Sequence, residues 1–518
     1  MENNNLFMHR LIKFTTNKIF AFSGIILVGL IIRMYYSQYD IPLTLDGLFY
    51  FKYAIDTSIL GHLPEYHLTN NGWPVFLSVF FSGTNSENFL DYMTIQRLVS
   101  IIVSLLTAIP VYFLCKKFFE HKFAVVGSVL FIFEPRIIQN SISGVTEPLF
   151  ILLTASSLAL FLTNSKKMIY LSFVVSALAT IVRWEGITLF LAISILYLIK
   201  YRKNHKKILE YGILVGIYIL VLTPMALPRM EVSGNETITT SIMSGSSAFS
   251  DELQGVDNNF SSPIVYLSNG FVQLGKNLGW LMIPNFILFA PIGLFLMFRG
   301  KFSEKISIIL PIVILGIVGF YAYSRGIEEL RYLFVLLPLL SVISLFTINR
   351  FLYKRKKQNS LLIILIISLI ILSLGFLEWK KSDNMHEYEA YEISKKVVES
   401  ATKINVYYPE SKYVRVGEMH SQTLSEISKS DIYWLEVASA RDYNTLTDFI
   451  IESKVSHLVV DGGKNRAQFL NDIFYNESDY PFLIKEYDSL HDDYKYHVKI
   501  FRIDYEKFNL ENESVIVP

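Results

Sequence analysis

The chain has 518 residues, of which 52% are hydrophobic and 18% are charged, and its mean hydropathy is +0.38. Soluble proteins of this length normally have a mean hydropathy below zero. Here long apolar runs alternate with short basic clusters, which is typical of polytopic membrane proteins. The formal net charge of +1 gives no indication of nucleic-acid binding, and no nucleic-acid partner is expected, because the basic residues lie in membrane-flanking loops and form no single patch. The single cysteine, Cys115, excludes an internal disulfide.

A membrane-spanning helix needs about 20 mostly apolar residues. The sequence predicts about eleven such helices, near 19–36, 91–115, 122–135, 147–163, 168–183, 186–200, 208–227, 279–298, 306–323, 331–349 and 359–377. The first run lacks a small-residue cleavage site, so it is interpreted as a retained helix. The apolar run 73–81 is too short to span and is expected at the interface or in a re-entrant loop.

Lysine and arginine clusters predict the orientation of these helices. They occur at 10–18, 116–122, 166–167, 200–207, 299–305 and 350–357. The positive-inside rule puts these loops in the cytoplasm. An odd number of helices then leaves the N-terminus in the cytoplasm and the C-terminal region outside a cell membrane. The first outer loop, 37–90, and a polar outer loop, 228–277, are long.

From about residue 380 the composition changes. Helix-like segments at 383–402, 442–453 and 466–475 alternate with strand-like segments at 404–408, 412–417, 431–437, 455–461 and 495–504. This alternation predicts an extracytoplasmic α/β domain over 381–518, after a transmembrane domain over 1–380.

Charged side chains near the membrane are candidates for function, because an ionisable group at the bilayer centre costs about 2.5–3.5 kcal/mol on insertion scales. They gather in the predicted outer loops: Asp46, Glu65, Glu134, Arg136, Glu147, Arg183, Glu185, Arg325, Glu328, Glu329 and Arg331. Structural alternatives stay open for them. Asp46 could cap a helix or be a solvated loop carboxylate, and Arg183 with Glu185 could form a structural ion pair. Glu134 and Glu147 each precede proline, which favours a helix boundary.

Four motifs occur in order on the predicted outer side. They are LDGLFYFKYA at 45–54, FEPRIIQNSISGVTEPLF at 133–150, ATIVRWEG at 179–186 and EELRYLFVLLPLL at 328–340. As a set they resemble the GT-C glycosyltransferases, with dolichyl-phosphate-mannose protein mannosyltransferases and lipid A aminoarabinose transferases as the most similar types. The resemblance covers roughly residues 10–380. It implies a GT-C-like fold, a polyprenyl-phosphate sugar donor, an extracytoplasmic acceptor (protein, lipid or glycan) and an inverting reaction.

The resemblance maps the family's first-loop acidic residue onto Asp46, the expected catalytic base, and its second acidic residue onto Glu134 or Glu147. A positioned carboxylate assists attack by a sugar hydroxyl, and arginine suits the leaving phosphate. Expected substrate-binding residues are Tyr50, Lys52, Tyr53, Glu65, Arg136, Arg183, Glu185, Glu328, Arg331 and Tyr332. Aromatic-belt packing is the alternative for the tyrosines. No cofactor or metal site is predicted, although a divalent cation held by Asp46 with Glu134 or Glu147 stays open.

Other functions remain as alternatives. A transporter or flippase of lipid-linked sugars would also use outer-facing charges among many helices. An oligosaccharyltransferase should carry a WWDxG-type motif in its soluble domain, and none is found, which argues against transfer of a whole glycan to asparagine. A membrane anchor for the α/β domain would leave the outer charges unexplained.

Overall fold

The computed structural model describes residues 22–43, 45–66, 68, 70–233, 263–300, 304–400, 404–407, 432–434, 446–448, 450–451, 454–462, 468–492, 494 and 497–509. Within these residues the chain is mostly helical, and a sheet forms only after residue 400. The described chain therefore has a long helical part followed by a smaller part with both strands and helices.

The helices follow one another with short connections. They are α1 (Phe22–Tyr36), α2 (Leu45–Leu60), α3 (Gly72–Phe81), α4 (Phe89–Leu106), α5 (Ala108–Phe118), α6 (His121–Ile132), α7 (Pro135–Ile142), α8 (Glu147–Leu162), α9 (Lys166–Val182), α10 (Gly186–Tyr201), α11 (His205–Ser233), α12 (Pro263–Met282), α13 (Ala290–Arg299), α14 (Ile306–Ser324), a 3₁₀ helix (Leu330–Leu336), α15 (Leu337–Leu352) and α16 (Gln358–Ser400).

Five helical stretches of the described chain are long and apolar enough to cross a membrane. They are Phe89–Phe118, His205–Val232, Ile306–Ser324, Leu330–Leu352 and Gln358–Lys381. A sixth is the pair α6 and α7, which is bent by 53°. Five further apolar helices are shorter, with 10–17 residues.

Three of the predicted segments have other boundaries in the structure. In two of them a proline interrupts the helix, and in the third the neighbouring helices extend into the expected loop. The expected helix over 122–135 breaks before Pro135, because the residue before proline disfavours the α conformation. The expected helix over 279–298 is interrupted by turns between Met282 and Ala290, a stretch that contains Pro284. The expected loop 228–277 is helical at both ends, since α11 runs to Ser233 and α12 begins at Pro263; residues 234–262 lie outside the described residues.

The break between α6 and α7 is held by polar side chains that are distant in the chain. Arg33 of α1, fully buried, donates to the Ile132 carbonyl at 3.0 Å and to Ser141 Oγ at 3.1 Å. Asn285 donates to the Phe133 carbonyl at 2.6 Å, and Ser373 of α16 donates to the same oxygen. A helix end inside a membrane protein needs such partners, because no bulk water satisfies its free carbonyls.

The basic loops contact one another. Lys117 lies 3.8 Å from Glu304, and Lys122 donates to Asn359 at 2.7 Å, which joins the loops after α5, α13 and α15. Lys200 donates to Asn164, joining the loops after α8 and α10. These described basic loops therefore meet at one end of the helical bundle, called here the basic end; the cluster at 10–18 lies outside the described residues.

The C-terminal strands form one five-stranded sheet in the order β2-β1-β3-β5-β4. The strands are β1 (Ile404–Tyr407), β2 (Ile432–Trp434), β3 (Val455–Asp461), β4 (Leu483–Asp488) and β5 (Val498–Ile503), with helix α17 (Gln468–Tyr475) between β3 and β4. β1 is parallel to β2 and β3, whereas β5 is antiparallel to β3 and β4. Leu458, Val460 and Phe501 are buried in its apolar core.

Most of the expected C-terminal elements lie where the sequence predicts them, with two exceptions. Strand β4 was not predicted, because its charged LIKEYD sequence hides the alternation of an edge strand. The expected helix 383–402 is the continuation of α16. The expected strand 412–417 lies outside the described residues.

The chain divides into two compact units. One comprises Met1–Gln38 with Phe49–Leu377, and the other comprises Tyr39–Leu48 with Glu378–Pro518. The short segment Tyr39–Leu48 thus belongs with the C-terminal residues, and it contains Asp46. The other candidate site residues belong to the first unit.

One close backbone approach fixes α3 against the end of α9. A Cβ atom on Gly72 would lie 2.3 Å from the Ile181 carbonyl oxygen, which is backbone and cannot move aside like a side chain. Trp73, the next residue, is fully buried, and its Nε1 donates to the Gly144 carbonyl at 2.9 Å. Only glycine therefore lets α3 carry Trp73 into this contact.

Replacing Gly72 by alanine should lower the melting temperature of the detergent-purified protein. Overpacking of this kind costs about 1–3 kcal/mol. Gly83→Ala is the matched control, because a Cβ atom there meets only the Phe80 carbonyl oxygen at 3.7 Å. Equal melting temperatures for the two variants would contradict the contact.

Candidate functional site

A buried arginine between two carboxylates lies where three helix ends meet. Arg183, between α9 and α10, donates through Nη1 to Glu147 Oε1 and through Nη2 to Glu185 Oε1, both at 2.7 Å. Its Nη1 also donates to Thr146 Oγ1 at 2.7 Å. All three ionisable side chains are buried. We call Glu147, Arg183, Glu185 and Arg331 the arginine–carboxylate cluster.

The electrostatics of the cluster keep Arg183 charged. Glu147 and Glu185, each 2.7 Å from the Arg183 guanidinium, offset the cost of burying its charge. Two carboxylates buried beside one another without this cation would repel and would pay a large desolvation cost. Arg183 therefore holds both glutamates in fixed positions.

The backbone around the cluster is fixed by tight turns. Gly144, with φ of +67°, makes the turn before α8, and its carbonyl accepts from Trp73 and from Gln96 Nε2 at 2.7 Å. On the other side, a Cβ atom on Gly186 would lie 2.5 Å from the Thr180 backbone nitrogen. These contacts place Glu147 at the start of α8 and Glu185 just before α10.

Arg331 extends the cluster toward the surface. Its Nη1 lies 3.9 Å from Glu147 Oε1, and its Nε pairs with Glu329. The Arg331 side chain is 27% exposed, whereas that of Arg183 is 9% exposed. Arg331 is thus the accessible cation of the cluster, and its partner Glu329 is half exposed.

A small cavity borders these residues. Its volume is about 20 Å³, and it is lined by Glu147, Arg183, Glu185, Arg331, Tyr332 and Phe150, among others. Such a space holds about one water molecule. The second oxygens of Glu147 and Glu185, both Oε2, are buried and have no hydrogen-bond partner among the described residues. They remain available to a water or a substrate hydroxyl.

Glu134 belongs to a different group of contacts. It is fully buried at the break between α6 and α7, and its Oε1 accepts from Arg136 Nη1 at 3.2 Å. Arg136 also donates to the Ile283 carbonyl and lies over the Phe376 ring, 4.8 Å from its centroid. Of the two expected second acidic residues, Glu147 rather than Glu134 therefore shares the cluster with Arg183.

A third buried group was not predicted. Arg229, near the end of α11, donates to Asn71 Oδ1 and, at 3.1 Å, to the Ile181 carbonyl. Asn71 Nδ2 donates to the Tyr53 hydroxyl at 3.0 Å. The signal was present in the sequence, because Arg229 is a cation within an apolar helix, and such residues default to functional or packing roles.

The other expected site residues differ in how deeply they are buried. Asp46 is partly buried in the first turn of α2. Tyr50 and Tyr53 are buried. Lys52 and Tyr332 are partly buried, whereas Glu65 and Glu328 are exposed.

The described residues include no group of three or more His, Cys, Asp or Glu side chains placed to hold a metal ion. The cluster itself offers two carboxylates, both already paired with Arg183. A divalent cation at this position would have to compete with that guanidinium.

Replacing Arg183 by methionine should destabilise the protein strongly, because it leaves two buried carboxylates without a counter-charge, a change that costs about 3–5 kcal/mol. Adding Glu147→Gln and Glu185→Gln to that variant should restore much of the lost melting temperature. If the triple variant is less stable than Arg183→Met alone, the ion-pair account of the cluster is wrong.

Two solved proteins have folds similar to that of this chain. ArnT from Cupriavidus metallidurans, solved bound to undecaprenyl phosphate, is similar with a TM-score of 0.57 and 10% identity, over 94% of this chain and 98% of that one. The oligosaccharyltransferase AglB from Archaeoglobus fulgidus, in complex with an inhibitory peptide and a dolichol-phosphate, gives a TM-score of 0.52 and 11% identity, over 90% of this chain and 73% of that one. At these identities the likeness concerns the fold, which is that of the GT-C enzymes.

No curated protein matches the chain by sequence. A family model described as "Predicted membrane protein (DUF2079)" matches residues 95–432, well over half of the chain. That range includes the whole arginine–carboxylate cluster. The chain therefore belongs to the DUF2079 family of predicted membrane proteins, and it has a GT-C fold.

Proposed function

We propose that this protein is a membrane glycosyltransferase that moves a sugar, such as a hexose, from a polyprenyl-phosphate donor to an extracytoplasmic acceptor with inversion. The observation that carries the proposal is the arginine–carboxylate cluster within a GT-C fold. The two similar proteins named above were solved with undecaprenyl phosphate and with dolichol-phosphate. This supports a polyprenyl-phosphate donor for this chain as well.

Arg331 is the proposed ligand of the donor phosphate. It is the more exposed arginine of the cluster, and its guanidinium can make two parallel hydrogen bonds to phosphate oxygens. Its partner Glu329 is half exposed, so it can leave for solvent when a phosphate arrives. Charge on the departing lipid phosphate is then stabilised by a cation already in place.

Arg183 and Glu147 have a positioning role in this scheme. Arg183 is buried and engaged with two glutamates, which leaves it poorly placed to meet a bulky phosphate. Arg183 fixes the position of Glu147. The Glu147 Oε1 atom also lies near Arg331, and its Oε2 atom has no hydrogen-bond partner among the described residues. Glu147 is proposed to orient Arg331 and the acceptor hydroxyl.

Asp46 is the proposed catalytic base. Asp46 is partly buried in the first turn of α2, within the motif LDGLFYFKYA that carries the resemblance to the GT-C enzymes. A single displacement at the anomeric carbon requires one base to take the proton of the acceptor hydroxyl as the new glycosidic bond forms. The lipid phosphate leaves as an anion, so no covalent sugar–enzyme adduct is needed.

Replacing Asp46 by asparagine should reduce sugar transfer by about 10²–10⁴-fold, the usual contribution of a general base. The measurement is transfer of label from a panel of radiolabelled polyprenyl-phosphate sugars in membranes, with and without a chelator. Asp40→Asn is the matched control, because Asp40 is an exposed carboxylate earlier in the same segment. Asp46→Asn turnover equal to wild type would remove the base assignment.

Arg331 and Glu329 should change donor affinity in opposite directions. Arg331→Met should raise the donor KM by about 10–100-fold, since a charge-assisted hydrogen bond contributes about 1.5–3 kcal/mol. Glu329→Gln should lower the donor KM, because the glutamate no longer competes with phosphate.

Steady-state kinetics with the active donor test this pair. Arg350→Met, at the basic end of the same helical run Leu330–Leu352, is the control for loss of one exposed arginine. A higher donor KM in Glu329→Gln would contradict the competition between Glu329 and the phosphate.

A further inference from the structure

A large apolar groove lies between α5 and α8, away from the arginine–carboxylate cluster. Its volume is about 560 Å³, and its walls include Ile109, Pro110, Phe113, Ala159 and Leu160. α8 begins at Glu147 of the cluster and ends at Leu162, which also lines the groove. At 1.5 Å per residue, the 16-residue helix separates its two ends by about 24 Å.

The groove is apolar along its length and cationic at one end. On α5 it runs over 109–117, about 12 Å of helix. Lys116 and Lys117, both exposed, line it in the last turn of α5. Phe113, one turn earlier, is 54% exposed, which leaves an apolar side chain at the wall.

A third lysine is close to α8. Lys200 lies with its Nζ 5.9 Å from the centroid of the Phe161 ring. The anion paired with these lysines in the described part of the chain is Glu304, 3.8 Å from Lys117. Lys116 and Lys117 both line the mouth of the groove, so an anionic group there would be attracted to them.

We propose that this groove binds one anionic phospholipid of the bilayer, with part of an acyl chain between α5 and α8 and the phosphate on Lys116 and Lys117. Basic pockets between transmembrane helices recognise anionic headgroups through such an arrangement. The basic end places the lysines at headgroup level, and the apolar wall starts directly below them. This site is separate from the proposed donor site and does not depend on the proposed reaction.

The test is native mass spectrometry of the detergent-purified full chain, titrated with phosphatidylglycerol or with phosphatidylcholine of the same acyl chains. Wild type should retain one phosphatidylglycerol about tenfold more strongly than phosphatidylcholine. Lys116→Gln with Lys117→Gln should lose that preference. Ala159→Trp, which fills the groove and keeps both lysines, should weaken binding of both lipids.

The matched control is Lys356→Gln with Lys357→Gln, which removes the same charge from exposed positions at the basic end outside the groove. This control should bind both lipids as wild type does. Equal binding of the two lipids by wild type would overturn the proposal. So would an equal loss of preference in the control, because the attraction would then belong to the basic surface in general.

Discussion

The burial of Arg183 between Glu147 and Glu185 is the constraint on which the proposed site depends. Removing three charged groups from water is costly, and it is offset only when their geometry is close to ideal. The neighbouring contacts supply that geometry: Trp73 and Gln96 hold the turn at Gly144. Gly72 and Gly186 permit backbone approaches that any other residue would block. Packing of α3, α4 and α9 thus determines where one cation and two carboxylates can lie.

The two arginines of the cluster differ in burial and therefore have different proposed roles. In the proposed mechanism Arg183 is a positioning residue, because its hydrogen bonds are used within the protein. Arg331 is accessible, and the proposal exchanges its pairing with the exposed Glu329 for a pairing with a phosphate. Such a site would be ready before the donor arrives, so little reorganisation would be needed when charge develops on the leaving lipid phosphate. At the basic end, the proposed phospholipid would contact the same helix, α8, whose other end carries Glu147.

The membrane class and the pairing of Arg183 with Glu185 were accessible from sequence, because apolar length and charge placement are local signals. The GT-C fold was expected only from the resemblance that the four motifs carry. The choice between Glu134 and Glu147 was not, since both precede proline and only packing shows that Glu147 meets Arg183. Arg33 and Arg229 were missed for a related reason. Their partners, Ile132 with Ser141 and Asn71 with Ile181, are distant in the chain. The catalytic and substrate-binding roles of all the expected site residues, among them Asp46, Lys52, Glu65, Glu328 and Tyr332, remain predictions.

A structure of the protein with undecaprenyl phosphate, determined by cryo-electron microscopy in lipid nanodiscs, tests the central claim most directly. The account predicts phosphate oxygens within hydrogen-bond distance of the Arg331 guanidinium, with Glu329 displaced and the Arg183 pairs to Glu147 and Glu185 intact. A phosphate bound elsewhere, with Arg331 still paired to Glu329, would contradict the account.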